Sequence, residues 1–428
     1  MQEQFIPVEW SRKTNVYEVN TRQYTTEGSF RAFASHLPRL KDMGIEVIWF
    51  MPVTPISQEG RKGSLGSYYA CSDYCAINPE FGNEDDFRAV VKQAHDLHMK
   101  VIIDWVANHT GVEHVWKAPH PDFYKKNDQG EFYDAHGWDD VIDLNYENQA
   151  MRLAMIDSMA WWVKNFDIDG FRCDMAMLCP LDFWRQARTD LDKLKPLFWL
   201  AELDSWDNPD YMQVFDAAYT WKWMRATRDY ITSSNRQIHL LDAVLMHYQS
   251  LYPKTALRAW FTSNHDENSW NGTEYEKYGV MAPALAVFNC LWQGIPLTYS
   301  GQELPNHKRL LFFDKDCIEW NEHPALHDFY KKLLGLRASH PALVSDPAHP
   351  PVRIATASDG ALFCWLRKSE DREVLVVLNL SDMHFQPAWI TDNKVAGKFT
   401  ELFSNAENDF DSNRGVQLEP WAYQVWVR

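Results

Sequence analysis

Short β-branched and aromatic runs alternate along the chain with longer segments whose apolar residues return every three or four positions. Eight runs read as strands: 16–24 (VYEVNTRQY), 47–53, 101–108, 169–176, 197–203, 216–220, 257–264 and 296–303. The sixth, DAAYT, carries the faintest pattern. Between them, 28–44, 84–99 and 149–166 have helical spacing. In QAMRLAMIDSMAWWVKNF the apolar positions form the stripe of a half-buried helix. Eight strand–helix alternations predict an α/β fold, a parallel (β/α)8 TIM barrel. Several strands are nearly continuous apolar runs, as strands covered on both faces should be.

Two stretches break this rhythm. Residues 109–148 are rich in Pro, His, Asp and aromatics and read as a short insertion after the third strand. Long irregular insertions in compact domains are usually functional. After about residue 340 the pattern changes to ALFCWLRK, EVLVVLNLS, KFTELFS and YQVWVR, separated by turn residues. That texture predicts a C-terminal antiparallel β-sandwich with no candidate chemistry in it. The expected organisation is a barrel over 1–108 and 149–340, an insertion over 109–148, and a sandwich over 341–428. The boundary falls within 339–351.

The formal net charge is -17. A polyphosphate backbone or an anionic membrane surface would be repelled, so neither nucleic acid nor membrane is an expected partner. A neutral polymer meets no such barrier. The charge also serves plain solubility. Twenty Trp are present, and flat aromatic faces suit the apolar faces of sugar rings. Most of these rings are expected in the core. Seven Cys, including Cys71, Cys75 and Cys173, form an odd, scattered set without metal-type spacing. They argue for mostly free thiols in a reducing compartment. MQEQFIPVEWSRK has no apolar run of the signal-peptide kind. The protein is expected in the cytoplasm if this N-terminus is natural, and outside it or in the periplasm if a signal peptide was removed.

In an α/β barrel the active site gathers at the C-terminal strand ends. The third strand ends in Asp104-Trp-Val-Ala-Asn108-His109, the fourth carries Arg172-Cys-Asp174, the fifth ends in Glu202, and the seventh ends in Asn264-His265-Asp266. Three carboxylates and a guanidinium would then share one concave mouth. Residues two apart on a strand point to the same side, so Arg172 lies beside Asp174 and is expected to favour its ionised form. Glu202, in a drier place or beside the charge of Asp174, can hold a proton near neutrality. One ionised and one protonated carboxyl group is the requirement for glycosidic cleavage. Taken singly, Arg172–Asp174 is an ordinary ion pair, Glu202 a buried hydrogen-bonding residue and His109 a surface or supporting histidine. The constellation carries the inference, because all four motifs fall on the right strands in order.

DWVANH (104–109), GFRCD (170–174), the lone Glu202 and FTSNHD (261–266) resemble the four signature regions of the α-amylase family, glycoside hydrolase family 13. The likeness extends over nearly the whole chain. It implies Asp174 as nucleophile, Glu202 as acid/base and Asp266 as transition-state stabiliser. It further implies that Arg172 supports the nucleophile, that Asp104 anchors this arginine, and that His109 and His265 bind the sugar. SYYACSDYCAINPEFG (67–82) resembles the family's loop after the second strand, with Tyr69, or its neighbour Tyr68, as the ring beneath that sugar.

There are departures. Many relatives carry a Lys-His pair three and four residues after the nucleophile, where this chain has Met177 and Leu178. Relatives also often bind calcium through residues corresponding to Asn108 and Asp143, and hard oxygen ligands suit that ion. With one ligand missing, a purely structural Asn108 is the preferred expectation, and no cofactor is required. The expected activity is retaining hydrolysis of α-1,4-glucans or maltooligosaccharides. A transglycosylase, an isomerase or an exo-acting α-glucosidase would use the same groups, and fold does not separate them. A non-catalytic sugar-binding subunit is the remaining alternative. Such relatives lose catalytic carboxylates, and all three are present here.

Overall fold

A computed structural model describes residues 5–428. The eight runs close into a barrel of parallel strands, each beside the next in chain order and the last beside the first. The strands are Val16–Val19, Val47–Phe50, Lys100–Trp105, Gly170–Cys173, Phe198–Asp204, Ala217–Tyr219, Leu257–Trp260 and Ile295–Tyr299. Nearly every position in them is buried, which accounts for their continuous apolar texture.

Most of the predicted strands ran too far at their C-terminal ends. The first stops at Val19, and Thr21–Tyr24 coil into a helical turn. Residues 261–264 and 300–303 likewise lie beyond the ladder. These are the polar ends, where the chain turns into the barrel mouth. The helix expected over 28–44 is two pieces, Phe30–Ala34 and Leu37–Met43. Pro38 lies in the first turn of the second piece, where its missing N–H costs nothing. Helix Gln149–Phe166 matches its prediction, and the Asn148 side chain caps it by accepting from the amides of Ala150 and Met151.

The insertion after the third strand is held by a two-stranded antiparallel ribbon, His109–Gly111 against Val141–Asp143. Beyond helix His327–Ser339, a six-stranded and a two-stranded antiparallel sheet form the C-terminal region. Strand Leu362–Ser369 shows how this region is attached. Leu362, Cys364 and Leu366 enter a core between the two sheets, whereas Phe363 and Trp365 join the barrel's core. Alternate side chains of one strand therefore serve two cores. Among the described residues no helix is long and apolar enough to cross a membrane. All seven cysteines are unpaired.

Candidate active site

Strand register assembles the site. Asp104 pairs with Arg172, and Arg172 with Leu200, so Asp174 and Glu202, each two residues further on, end level with one another. Gly170 makes this approach possible. A Cβ there would stand 2.1 Å from the carbonyl oxygen of Phe198 on the adjoining strand.

Arg172 is fully buried and joins the carboxylates. One terminal nitrogen lies 2.9 Å from Asp104 Oδ1 and 2.9 Å from Asp174 Oδ1, and the other lies 2.7 Å from Glu202 Oε2. Its Nε donates to the Tyr219 hydroxyl at 3.3 Å. Glu202 Oε2 also accepts from the amide of Met175 at 3.0 Å. Met175 has φ 38°, a left-handed backbone that a side-chain-bearing residue adopts only under constraint, and the amide it presents belongs to the site.

A second chain of contacts reaches the same group from the other side. His265 bonds through Nδ1 to Glu18 Oε1, while its Nε2 lies 2.7 Å from the Tyr69 hydroxyl and 3.3 Å from Asp266 Oδ2. Tyr69 donates to Asp104 Oδ2 at 3.1 Å. Between two carboxylates, and against the opposing effect of burial, His265 holds its proton well above the usual histidine range. Its charge and hydrogen bond in turn outweigh partial burial at Asp266 and keep that carboxyl below its ordinary value.

The other acidities correct one expectation. Asp174 is pushed up to about 6, because desolvation outweighs the adjacent Arg172 and the like charge of Asp104 adds to it. Glu202 rises further, to about 7, through burial together with the charges of Asp174 and Asp266. Both carboxyls are thus raised toward neutrality, and one proton held by the pair leaves one group ionised and one protonated, the state that glycosidic cleavage needs. Burial lowers His109 to about 4, so its ring is neutral.

Asp174, Glu202, Asp266, Tyr69 and His109 all line one cavity of about 430 Å3. Asp104, Arg172 and His265 stand behind that lining and touch it through the bonds above. Of the two tyrosines, Tyr69 faces the cavity and lies nearly parallel to His265, with 19° between the rings. Tyr68 packs beneath the guanidinium of Arg22 instead. Sequence reasoning missed several contributors: Glu18, Tyr219, Met175, and the cavity walls Lys62, Trp138, Asp140, Trp270, Phe312 and Phe313. Only the aromatic richness of the insertion hinted at any of them, at Trp138.

The pair suggested for calcium meets a different cation. Lys125 Nζ lies 3.0 Å from Asp143 Oδ2, and the other oxygen of Asp143 faces the Asn108 amide nitrogen at 3.4 Å. The side chain of Leu178 offers no ligand atom. Asp134 and His136 also approach Asp143 closely enough to share an ion with it, but Asp143 is the carboxylate that Lys125 already neutralises. These residues do not fit a calcium ion at Asn108 and Asp143.

A closed parallel barrel with three acidic groups around one guanidinium at its C-terminal mouth defines a glycosidase-type architecture. The chain belongs to the α-amylase family: the sequence model of the alpha-amylase catalytic domain matches residues 12–133 and 121–332. It is 25% identical to alpha-amylase MalA of Haloarcula japonica over 385 residues, covering 86% of this chain and 56% of that protein. The chain spans about 56–64% of the length of the first curated relatives that it matches. Among solved structures, an alpha-amylase from Lactobacillus plantarum superposes with TM-score 0.87 at 26% identity, covering 98% of this chain and all of that one. A noncanonic maltogenic alpha-amylase, AmyB from Thermotoga neapolitana, gives 0.84 at 29% identity, covering 97% and 96%.

Proposed function

We propose that this protein hydrolyses α-1,4-glucosidic bonds in starch-type glucans or maltooligosaccharides with retention of configuration. The observation that carries this reading is the single guanidinium of Arg172, bonded at once to Asp174 and Glu202 at the wall of one cavity. Glu202, protonated near neutrality, gives its proton to the leaving oxygen while Asp174 attacks the anomeric carbon. The C–O bond to the leaving sugar breaks and a β-glycosyl ester of Asp174 forms. Glu202, now ionised, takes a proton from water, which attacks the same carbon and restores Asp174.

The remaining groups bind and stabilise. Asp266 grips ring hydroxyls and opposes the positive charge of the oxocarbenium-like transition state. His265, as a cation behind the lining, holds Asp266 and Tyr69 in place, and His109, as a neutral ring on the cavity wall, donates to hydroxyls. Tyr69 lies beneath the sugar ring. Asp104 fixes Arg172, and both hold the nucleophile in place. In the insertion, the ammonium of Lys125 takes the role that calcium plays in many relatives, and no metal is required.

The test is the anomeric configuration and length of the first products from maltooligosaccharides, followed by proton NMR and chromatography. Retaining hydrolysis gives shorter α-configured products. Initial β-products would remove Asp174 as nucleophile, and products longer than the substrate would mean transfer rather than hydrolysis.

A further inference from the structure

We infer that the cavity is closed at the end that receives the non-reducing side of the substrate, so that the protein works inward from chain ends and does not cut within chains. This rests on the hydrolytic reading above. In an eight-stranded barrel the fifth strand lies across the mouth from the first, which is flanked by the second and the eighth. The leaving sugar departs toward its proton donor, Glu202, on the fifth strand. The sugar held at Asp174 therefore extends away from Glu202, toward the loops that follow the second and eighth strands.

Those loops are latched together and to the insertion. The amide of Leu65, after the second strand, donates to the carbonyl of Phe313, after the eighth, at 3.0 Å. The amide and hydroxyl of Ser64 donate to Asp314 Oδ1 at 2.8 and 2.6 Å. Gly63 packs so closely that an added Cβ would stand 2.5 Å from Phe313 Cβ. Lys62 bridges to the insertion, with Nζ 2.8 Å from Asp139 and 3.2 Å from Asp140. Glu113 of the insertion accepts from the amides of Gln58 and Glu59 at 2.5 and 2.8 Å. A backbone hydrogen bond is among these contacts, so the wall does not open by rotation of side chains alone.

Three wall residues, Lys62, Asp140 and Phe313, line the cavity itself. Asp140 is only 4% exposed, and its ion pair with Lys62 presents both donors and acceptors. That pairing suits the free hydroxyls of a terminal sugar. A chain continuing past that point would meet the latched backbone. The substrate class is thus short maltooligosaccharides and glucan ends with an unblocked non-reducing terminus.

The experiment compares maltoheptaose with maltoheptaose whose non-reducing sugar is capped as the 4,6-O-ethylidene acetal. The free sugar should be hydrolysed faster by about 100-fold or more, since exclusion is by clash rather than by a lost contact. Cleavage of the capped sugar within a few-fold of the free one would overturn the closed end. Calorimetric binding of both sugars to the Glu202→Gln variant needs no turnover. It should show the same preference, and equal binding would overturn the inference whatever the rates. If neither sugar were cleaved but binding still discriminated, the closed end would stand and the hydrolytic reading would fall.

Discussion

Glu18, on the first barrel strand, is bonded through Oε1 to Nδ1 of His265, which follows the seventh, 247 residues away. Both side chains are buried, and Glu18 is one of the two anions that hold the imidazole in its charged form. Glu18 touches no residue of the cavity wall directly in this chain of contacts. It acts as a positioning residue for the group that faces Asp266 and Tyr69.

Glu18→Gln is expected to lower kcat about 10- to 100-fold through misplacement of His265, with a smaller change in KM. The His265 ring should also titrate at lower pH than in the parent protein, read by NMR of the histidine side chains. A purely structural role would leave that titration unmoved. Unchanged titration together with unchanged kcat would remove Glu18 from the site.

The rate should pass through a narrow maximum between about pH 6 and about pH 7. Below about 6 Asp174 takes up a proton and stops being a nucleophile. Above about 7 Glu202 has lost the proton that it must give. The active form, Asp174 ionised and Glu202 protonated, is most populated between the two. Initial rates of maltooligosaccharide cleavage from pH 4 to pH 9 check this, and a plateau reaching pH 9 would contradict the assignment of Glu202 as proton donor.

Addition of EDTA or calcium should leave the melting temperature unchanged, because the ammonium of Lys125 already faces Asp143. Lys125→Met strands a fully buried carboxylate. Removing one partner of a buried pair costs roughly 3–5 kcal/mol, an upper limit here because Lys125 is 39% exposed. A fall in melting temperature of up to roughly 3–6 °C follows by differential scanning calorimetry. Stabilisation of the parent protein by calcium at micromolar concentration would contradict the assignment.

Residues flanking the cavity were legible to different degrees. Asp104, Arg172, Asp174, Glu202, His265 and Asp266 stood out because each is a polar residue at or just past the end of an apolar run, where a parallel barrel places its chemistry. Glu18 has the same location in kind, but a single Glu inside VYEV forms no pattern, and its partner lies on a distant loop. Lys62, Phe312 and Phe313 were invisible because loop paths are set by tertiary contacts such as Leu65 with Phe313, not by periodicity. Arg172 beside Asp174 was predictable from spacing alone. The net upward shift at Asp174 was not, since desolvation depends on everything that covers the group.

Asp174 as the covalent nucleophile is tested most directly by trapping. The Glu202→Gln variant is incubated with 5-fluoro-α-D-glucosyl fluoride, whose fluoride leaves without help from a proton donor. A stable adduct of one fluoroglucosyl unit should appear by intact mass, and peptide sequencing should place it on Asp174. An adduct on any other residue, or steady release of fluoride with β-configured sugar and no adduct, would contradict it.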